Sequence, residues 1–375
     1  MSRLSRIAAL ASATAMSIGF ASPGAAQETF KLGIVTFLSG PAADSFGVPA
    51  RNGGQFVIDQ LNKGAAPSPY EKVGFGGMKI EPVIIDENGG ATKQVQELRN
   101  LYQRDNVDVV LGYIGSGDCL AVAPIAEELK KLEAKGVHVV VMDSDFKGEL
   151  KKQRKYFIGT NNEQCGEELG KAASALRPDG GEFATFFGLA SSQNVKERTA
   201  GFAKGAGEKL QGKDAMEDGM DRSRARDNVR NAIQNHPQLN TLVGIWSYNA
   251  PAIVDVVTEL GKRKDFSVVV TDAEPIAIKN MDDGQIDVMV VQNPYGMGYQ
   301  SVRLMTALIK KDEATVKEMF PNYGQPDGDL FDTGLKIVVP DSNTTIKKEL
   351  FRTTTELLKL SEFKDWLKKY SLEGS

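Results

Sequence analysis

Short apolar runs alternate with amphipathic stretches along most of this chain. Between residues 31 and 310, each run of strand length is followed by a stretch with apolar residues at helical spacing. Strands that alternate with helices in this way predict a parallel α/β architecture. About nine such strands are too many for one open sheet of usual width. We therefore predict an α/β fold with two doubly wound parallel-sheet lobes.

One predicted strand has a particularly polar end. Val139–Met142 is a continuous apolar run of the kind that forms buried parallel strands, and it stops at Asp143, Ser144 and Asp145. Side chains at the carboxyl ends of parallel strands face the crevice where open α/β sheets bind ligands. We interpret Asp143 as a ligand anchor; the alternative is that it caps the helix that follows.

The first 26 residues have the pattern of a secretory signal peptide. Arg3 and Arg6 precede Ile7–Phe20, which is apolar but too short to span a bilayer, and small residues precede a predicted cleavage before Gln27. Removing two of the 45 basic residues leaves 43 against 49 acidic ones, a net charge of −6. A mildly acidic exported protein is not expected to bind nucleic acid or anionic membranes.

Sequence patterns of common enzymes are missing. The chain has no glycine-rich phosphate loop between a strand and a helix and no nucleophile elbow. His138 and His236 lack neighbours at metal-ligand spacing, so we predict no enzyme, no metal and no cofactor. Cys119 and Cys165 fall beside strand ends, where free thiols and a single disulfide are equally compatible with export.

Polar or aromatic residues recur at the ends of nearly all the predicted strands. A single strand-end aspartate is usually a cap, but this repetition favours a site that holds a small polar molecule from many directions. The residues in these positions are Phe37, Ser39, Ser116, Asp118, Asp143, Asn249, Asp272 and Gln292.

Arg198 is a charged residue on the apolar side of a predicted helix, between Val195 and Phe202. A buried guanidinium needs partners. It either pairs with an acid such as Asp143 or Asp272, or it donates its fork of hydrogen bonds to a ligand. We favour the ligand role, and both roles can hold together.

Seven motifs between residues 142 and 302 are found together in one known family. They are MDSD (142–145), YFIGTNN (156–162), KERTAGF (196–202), DGMDRSRA (218–225), GIWSYNAPA (244–252), VVTDAEP (269–275) and VVQNPYGMGYQSV (290–302). Over residues 137–305 the chain resembles the ribose/galactose-type sugar-binding group of type I periplasmic binding proteins, the solute receptors of ABC importers. The fold of that family is the two-lobed α/β fold expected above.

The resemblance implies a set of ligand-binding residues. Asp143, Arg198, Asp272 and Gln292 match the positions that hold sugar hydroxyls in this group, and Ser144 follows the first of them. Met220 falls near the family's apolar contact. Tyr248 and Asn249 match its strand-end Asn-Asp pair only loosely.

The first third of the chain has different motifs. FLSGPAADSFG (37–47), IDQLN (58–62) and GYIGSGD (112–118) resemble the branched-chain amino-acid or amide receptors of the same fold. In that group the residues matching Phe46 and Ser116 contact the ligand. The two family patterns meet between residues 128 and 140.

The resemblance also implies domain limits and three hinge strands, near Thr160, Asn293 and Lys336–Val339. The predicted units are a signal peptide (1–26), an N-terminal lobe (27–159 with 294–335), a C-terminal lobe (160–293 with 336–345) and a tail (346–375). Apolar residues at helical spacing predict that the tail is one amphipathic packing helix over residues 346–370.

The expected function is that of a periplasmic receptor, a monomer that captures a monosaccharide or similar polyol between closing lobes and delivers it to an inner-membrane permease. A receptor for a branched-chain amino acid or amide is the alternative, for which Phe46, Ser116 and Asp118 could begin the site. A third reading is a sensor that presents its closed form to a signalling partner. An exported hydrolase would need an activated nucleophile, which the sequence does not offer.

Overall fold

The structure is a computed structural model that describes residues 29–40, 42–67, 70–75, 77–115, 117–119, 121–122, 140–146, 148–342 and 344–375. The predicted signal peptide and most of the helix predicted over residues 120–135 lie outside these ranges. In the part of the chain that is described, no helix is long and apolar enough to cross a membrane.

Thirteen strands and ten α-helices make up the described chain. The strands are β1 (Thr29–Thr36), β2 (Lys79–Asp86), β3 (Val109–Leu111), β4 (Val140–Met142), β5 (Tyr156–Gly159), β6 (Gly181–Phe187), β7 (Leu210–Glu217), β8 (Leu239–Gly244), β9 (Ser267–Thr271), β10 (Val288–Val291), β11 (Leu330–Asp332), β12 (Lys336–Val339) and β13 (Glu356–Lys359). The helices are α1 (Val48–Asn62), α2 (Ala91–Gln103), α3 (Asn162–Leu176), α4 (Gln193–Ala206), α5 (Arg222–Asn235), α6 (Asn249–Glu259), α7 (Pro275–Asp282), α8 (Pro294–Lys310), α9 (Glu313–Met319) and α10 (Leu360–Lys369).

The first lobe contains two three-stranded parallel sheets, in the orders β2-β1-β3 and β11-β5-β4. Both faces of the first sheet are covered. Ile34 packs into one apolar cluster, which also contains α1 and α8 residues, and Val35 packs into another on the opposite face. Successive residues of a strand point to opposite faces of the sheet. Because both faces are buried here, the strands have continuous apolar sequences.

The second lobe contains one seven-stranded sheet in the order β13-β12-β10-β9-β8-β6-β7. Every strand pair in it is parallel except β10 with β12, which is antiparallel. Val268 and Val270 face one apolar cluster, and Val269 faces the other. Each lobe is thus a layer of parallel strands between helices, as predicted from the alternation of elements.

Three crossings connect the two lobes, and they are hydrogen-bonded to one another. The chain crosses after β5 at Thr160, after β10 at Asn293, and between β11 and β12 at residues 333–335. The Thr333 backbone amide donates to the Gly159 carbonyl at 2.9 Å, and Asn293 Nδ2 donates to the Thr333 carbonyl at 3.3 Å. The domain limits inferred from the sequence remain a proposal.

The tail differs from the single helix predicted over residues 346–370. Glu356–Lys359 is strand β13, which pairs in parallel with β12, and the helix begins only at Leu360. The prediction of helix before Leu360 was therefore wrong. The physical reason is that Leu357 and Leu358 complete the sheet edge, and backbone pairing there outweighs a helical spacing of leucines.

Helices α3 and α4 pack unusually closely because glycines line their contact. A Cβ atom on Gly166 or Gly170 of α3, or on Gly201 or Gly205 of α4, would lie 2.0–2.2 Å from a backbone oxygen of the other helix. No side chain fits at that distance. The close approach matters because these helices carry Asn162 and Arg198, which meet in the site.

We predict that Gly201→Ala lowers the free energy of unfolding by about 1–3 kcal/mol, because its methyl group would lie 2.1 Å from the Glu163 carbonyl oxygen. Urea denaturation measures the change. The matched control is Gly54→Ala, also within a helix, where the new methyl group meets a Val302 methyl at 3.5 Å. We expect the control to be neutral or slightly stabilising, since alanine favours helix. Equal effects of the two substitutions would contradict the close packing.

Candidate ligand-binding site

Two aspartates from different lobes end buried strands in the same way. Asp143 follows β4 and Asp272 follows β9, and both have a left-handed backbone with φ of 66°. The Asp143 amide donates to the Ile158 carbonyl at 3.0 Å, and the Asp272 amide donates to the Val290 carbonyl at 2.9 Å. Aspartate tolerates left-handed backbone better than most residues. Both side chains are more than nine-tenths buried.

Arg198 of α4 joins this pair of acids. It is only 3% exposed, as its position on an apolar helical stripe predicted. Its Nε donates to Asn162 Oδ1 at 2.9 Å and its Nη1 to the Ile245 carbonyl at 3.2 Å, while Nη1 lies 3.9 Å from Asp272 Oδ2. Among the described residues, Nη2 makes no hydrogen bond. The guanidinium is therefore fixed in place with part of its donor fork open.

Gln292, at the end of β10, completes the group. Its Nε2 donates to Asp272 Oδ1 at 2.8 Å. Its Oε1 is buried and has no hydrogen-bond partner within the described chain. A buried acceptor without a partner costs free energy, so a donor supplied from outside the protein would stabilise this atom.

The electrostatics of this group are dominated by burial. Burial raises the pKa of Asp143 to about 7; Arg198 opposes the rise and Asp272 adds to it. Burial also raises the pKa of Asp272 to about 6, which Arg198 and the Gln292 hydrogen bond oppose. Two carboxyls lie within the electrostatic influence of one guanidinium, so the group has more acceptor than donor capacity.

Glu87 and Asp118 lie in the first lobe near Asp143. Glu87 is fully buried and accepts the backbone amides of Ile114 at 2.9 Å and Gly115 at 2.5 Å, which fixes the loop after β3. Burial raises the pKa of Glu87 well above its usual range. Burial raises the pKa of Asp118 to about 6 against the opposing charge of Lys93. Ser116, predicted from sequence, lies outside the described residues.

The other residues predicted as ligand contacts in the first lobe are hydrogen-bonded to protein groups or packed against the core. Ser39 is exposed and donates to Asp86 Oδ2 at 2.6 Å, at the end of β2. Ser144 is buried and donates to the Ile114 carbonyl. Phe46 is 7% exposed within the first-lobe core, and Phe37 is half-buried against that core. The structure does not place these four side chains in contact with Arg198.

Tyr248 and Asn249 are buried, and both side chains are hydrogen-bonded to Asp218. Asn249 Nδ2 donates to Asp218 Oδ2 at 2.9 Å, and its Oδ1 accepts the Trp246 amide at 3.0 Å. The Tyr248 hydroxyl donates to Asp218 Oδ1. The Met220 amide donates to the same oxygen at 2.8 Å, which leaves the Met220 side chain 55% exposed at the tip of its loop. Their role as ligand contacts remains a prediction.

Sequence reasoning missed Asn162, Asp218 and Glu274 as parts of this region. Glu274 is buried, accepts the Ser247 hydroxyl at 3.0 Å and pairs with Arg222 at 3.3 Å. Its position two residues after Asp272 is the sequence feature from which Glu274 could have been predicted. Nothing local marks Asn162 as the partner of Arg198, because that contact depends on how two helices pack.

The two cysteines are not paired with each other. Cys119 and Cys165 are both buried free thiols, which decides between the alternatives left open by the sequence. No cluster of three or more metal-ligating side chains occurs in the described ranges. The arrangement is thus one of carboxylate, guanidinium and amide groups converging from two lobes, which suits reversible binding of a hydroxyl-rich or similarly polar molecule.

Comparison with known proteins agrees with this class of two-lobed binding protein. The sequence model described as "Periplasmic binding protein domain" matches residues 78–313, more than half of the chain. The chain belongs to this family. A D-allose-binding periplasmic protein of Escherichia coli (strain K12) is 26% identical over 259 residues, covering 66% of this chain and 80% of that protein. A ribose import binding protein of Bacillus subtilis (strain 168) is 25% identical over 223 residues, which cover 59% of this chain and 68% of that protein.

Solved structures show the same fold. An ABC transporter solute-binding protein from Burkholderia graminis, in complex with D-arabinose, has a TM-score of 0.66 and 25% identity, covering 86% of this chain and 99% of that one. A glucose-galactose binding protein from Geobacillus stearothermophilus has a TM-score of 0.65 and 18% identity. The match covers 83% of this chain and 98% of that one. The second likeness concerns the fold alone.

We predict that the ligand-free protein loses stability as the pH rises from about 4 to about 7. An acid whose pKa is raised on folding binds its proton more tightly in the folded state, so its contribution to stability falls between its usual pKa and its raised one. For Asp143 that interval runs from 3.8 to about 7. Asp143→Asn should therefore flatten the dependence, as measured by urea denaturation across the interval.

Asp255→Asn is the control for the pH experiment, because the Asp255 side chain is 57% exposed on α6. Its pH dependence should match that of the native sequence. An Asp143→Asn variant with the native pH dependence would show that Asp143 does not titrate as its burial implies.

Proposed function

We propose that the protein is a periplasmic solute-binding receptor of an ABC importer. It captures a monosaccharide or similar polyol between its two lobes and presents the closed form to a permease in the inner membrane. The observation that carries the proposal is the convergence of Asp143 from one lobe with Arg198, Asp272 and Gln292 from the other, with one buried Gln292 acceptor unpaired.

The chemistry of this group favours a neutral ligand rich in hydroxyls. Each hydroxyl donates one hydrogen bond and accepts others, so it can satisfy a carboxylate and a guanidinium together. Asp143 and Asp272 supply acceptors, Arg198 Nη2 supplies donors, and Gln292 Oε1 supplies another acceptor. The relatives named for allose, ribose and arabinose support the same ligand class.

Binding between the lobes implies a hinge motion. The crossings at Thr160, Asn293 and residues 333–335 are the places where backbone rotation would separate the lobes. We infer that the signal peptide is cleaved before Gln27, that the receptor acts as a monomer, and that it performs no covalent chemistry. Transport is favoured over sensing by the relatives, one of which is named as an import binding protein.

The test is a thermal-shift screen of residues 27–375 against pentoses, hexoses, polyols and amino acids, followed by calorimetry. A ligand at 100 times its Kd stabilises the folded state by about 2.7 kcal/mol, which raises Tm measurably. We predict a hit among the sugars or polyols. A hit only among amino acids would instead support the branched-chain amino-acid or amide alternative.

We predict that Asp272→Asn weakens sugar binding by about 10-fold or more, because hydrogen bonds to a charged group contribute about 1.5–3 kcal/mol. Asparagine has the same shape and also tolerates the left-handed backbone, so the fold should persist. Calorimetry gives Kd, and Asp255→Asn is the matched control. Unchanged affinity in Asp272→Asn would contradict the assigned site.

A further inference from the structure

A short segment after helix α10 runs from the surface into the interior beside the candidate site. We call residues 370–375 the strap. The Leu372 amide donates to the Leu367 carbonyl at 2.9 Å, and its side chain joins the core cluster that contains Leu367 and Ala273. Ser375 is fully buried. The neighbouring Glu373 side chain is exposed.

Ser375 binds the backbone at both strand ends that carry Asp272 and Gln292. Its amide donates to the Ala273 carbonyl at 3.1 Å, and the Ala273 amide donates back to the Ser375 carbonyl at 2.5 Å. Its hydroxyl donates to the Gln292 carbonyl at 3.1 Å. One residue therefore ties the peptide that follows Asp272 to the peptide of Gln292.

The strap also touches the first lobe. The Tyr370 ring lies 4.7 Å, between centroids, from the ring of Tyr295, which is in the first turn of α8 just after the crossing at Asn293. A Cβ atom on Gly374 would lie 3.3 Å from the carbonyl oxygen of Asp44, in the helical turn Ala43–Gly47 after β1. The strap thus lies between elements of both lobes.

We propose that the strap positions the ligand-binding side chains of Asp272 and Gln292 and fixes their strand ends relative to the first lobe. Asp272 has a backbone conformation that needs support from its surroundings. The reciprocal hydrogen bonds from Ser375 to the next residue supply that support. The proposal deepens the proposed sugar-binding function and rests on it for the affinity experiment.

Gly374 is the residue on which the fit of the strap depends. Its added Cβ would lie 2.6 Å from the Ala273 carbonyl oxygen and 3.2 Å from Pro275 Cδ. Backbone atoms cannot move aside as a flexible side chain does. Gly374→Val should therefore displace the strap from the strand ends while it leaves the sheet and helices in place.

The experiment compares Gly374→Val with Glu373→Val, an equal-sized side chain at the adjacent exposed position. Two probes are used, D-ribose and D-allose, by calorimetry on residues 27–375. For Gly374→Val we expect Kd of the folded protein to rise about 10-fold or more, together with a lower Tm because Leu372 leaves the core cluster, and for Glu373→Val no change in Kd. A purely structural strap would lower Tm and leave Kd of the folded molecules unaltered, which would overturn the proposal.

A second variant guards against misfolding of the first. Ser375→Ala removes only the hydrogen bond to the Gln292 carbonyl, and we expect a rise in Kd of about 3- to 10-fold. Native affinity in both Ser375→Ala and Gly374→Val would also overturn the proposal.

Hydrogen–deuterium exchange separates failure of this proposal from failure of the proposed function. The Ala273 amide should exchange about 10-fold faster or more in Gly374→Val than in Glu373→Val, whether or not a sugar binds. If the native protein bound neither D-ribose nor D-allose, those two sugars would be excluded as ligands while this measurement still tested the strap. Unchanged exchange at Ala273 would refute the positioning role directly.

Discussion

The burial of one guanidinium sets the requirements for the rest of this site. A charge that is 3% exposed must be paired or hydrogen-bonded, and Arg198 obtains Asn162, the Ile245 carbonyl and Asp272 from its own lobe. Of these partners, Asn162 comes from α3 and is within reach because glycines let α3 and α4 approach until Cβ atoms would collide. The glycine contact therefore contributes one of the hydrogen bonds that hold the arginine in place.

The sequence predicted the fold class because most strands have both faces buried. Strands such as β9 and β10 are continuous valine-rich runs, and their polar ends are easy to find. Strand β7 was missed, since Leu210–Glu217 lies at the sheet edge and most of its residues are polar and exposed. Strand β13 lies within the helix predicted for the tail, because the strand depends on pairing with β12 and the local sequence does not indicate that pairing.

The same distinction applies to the site. Asp272 and Gln292 follow apolar strands, and Arg198 interrupts an apolar stripe. The neighbouring sequence therefore indicates where each of these side chains lies in the fold. Asn249 has an equally good local sign, yet its amide is bound to Asp218 and to the Trp246 backbone. Local position shows that a side chain points toward the cleft end of a strand. It does not show whether another part of the chain already occupies its hydrogen bonds.

The charge balance of the site links ligand capture to lobe closure. Asp143 belongs to the first lobe, whereas Arg198 and Asp272 belong to the second, and the charge of Asp272 disfavours ionisation of Asp143. Bringing the lobes together without a ligand therefore places two acids beside one guanidinium, with too few donors for their oxygens. Under the proposed function, a molecule with several hydroxyls supplies those donors at the moment of closure. The closed form is then favoured when the cleft is occupied, because the ligand has differential contacts with the two states.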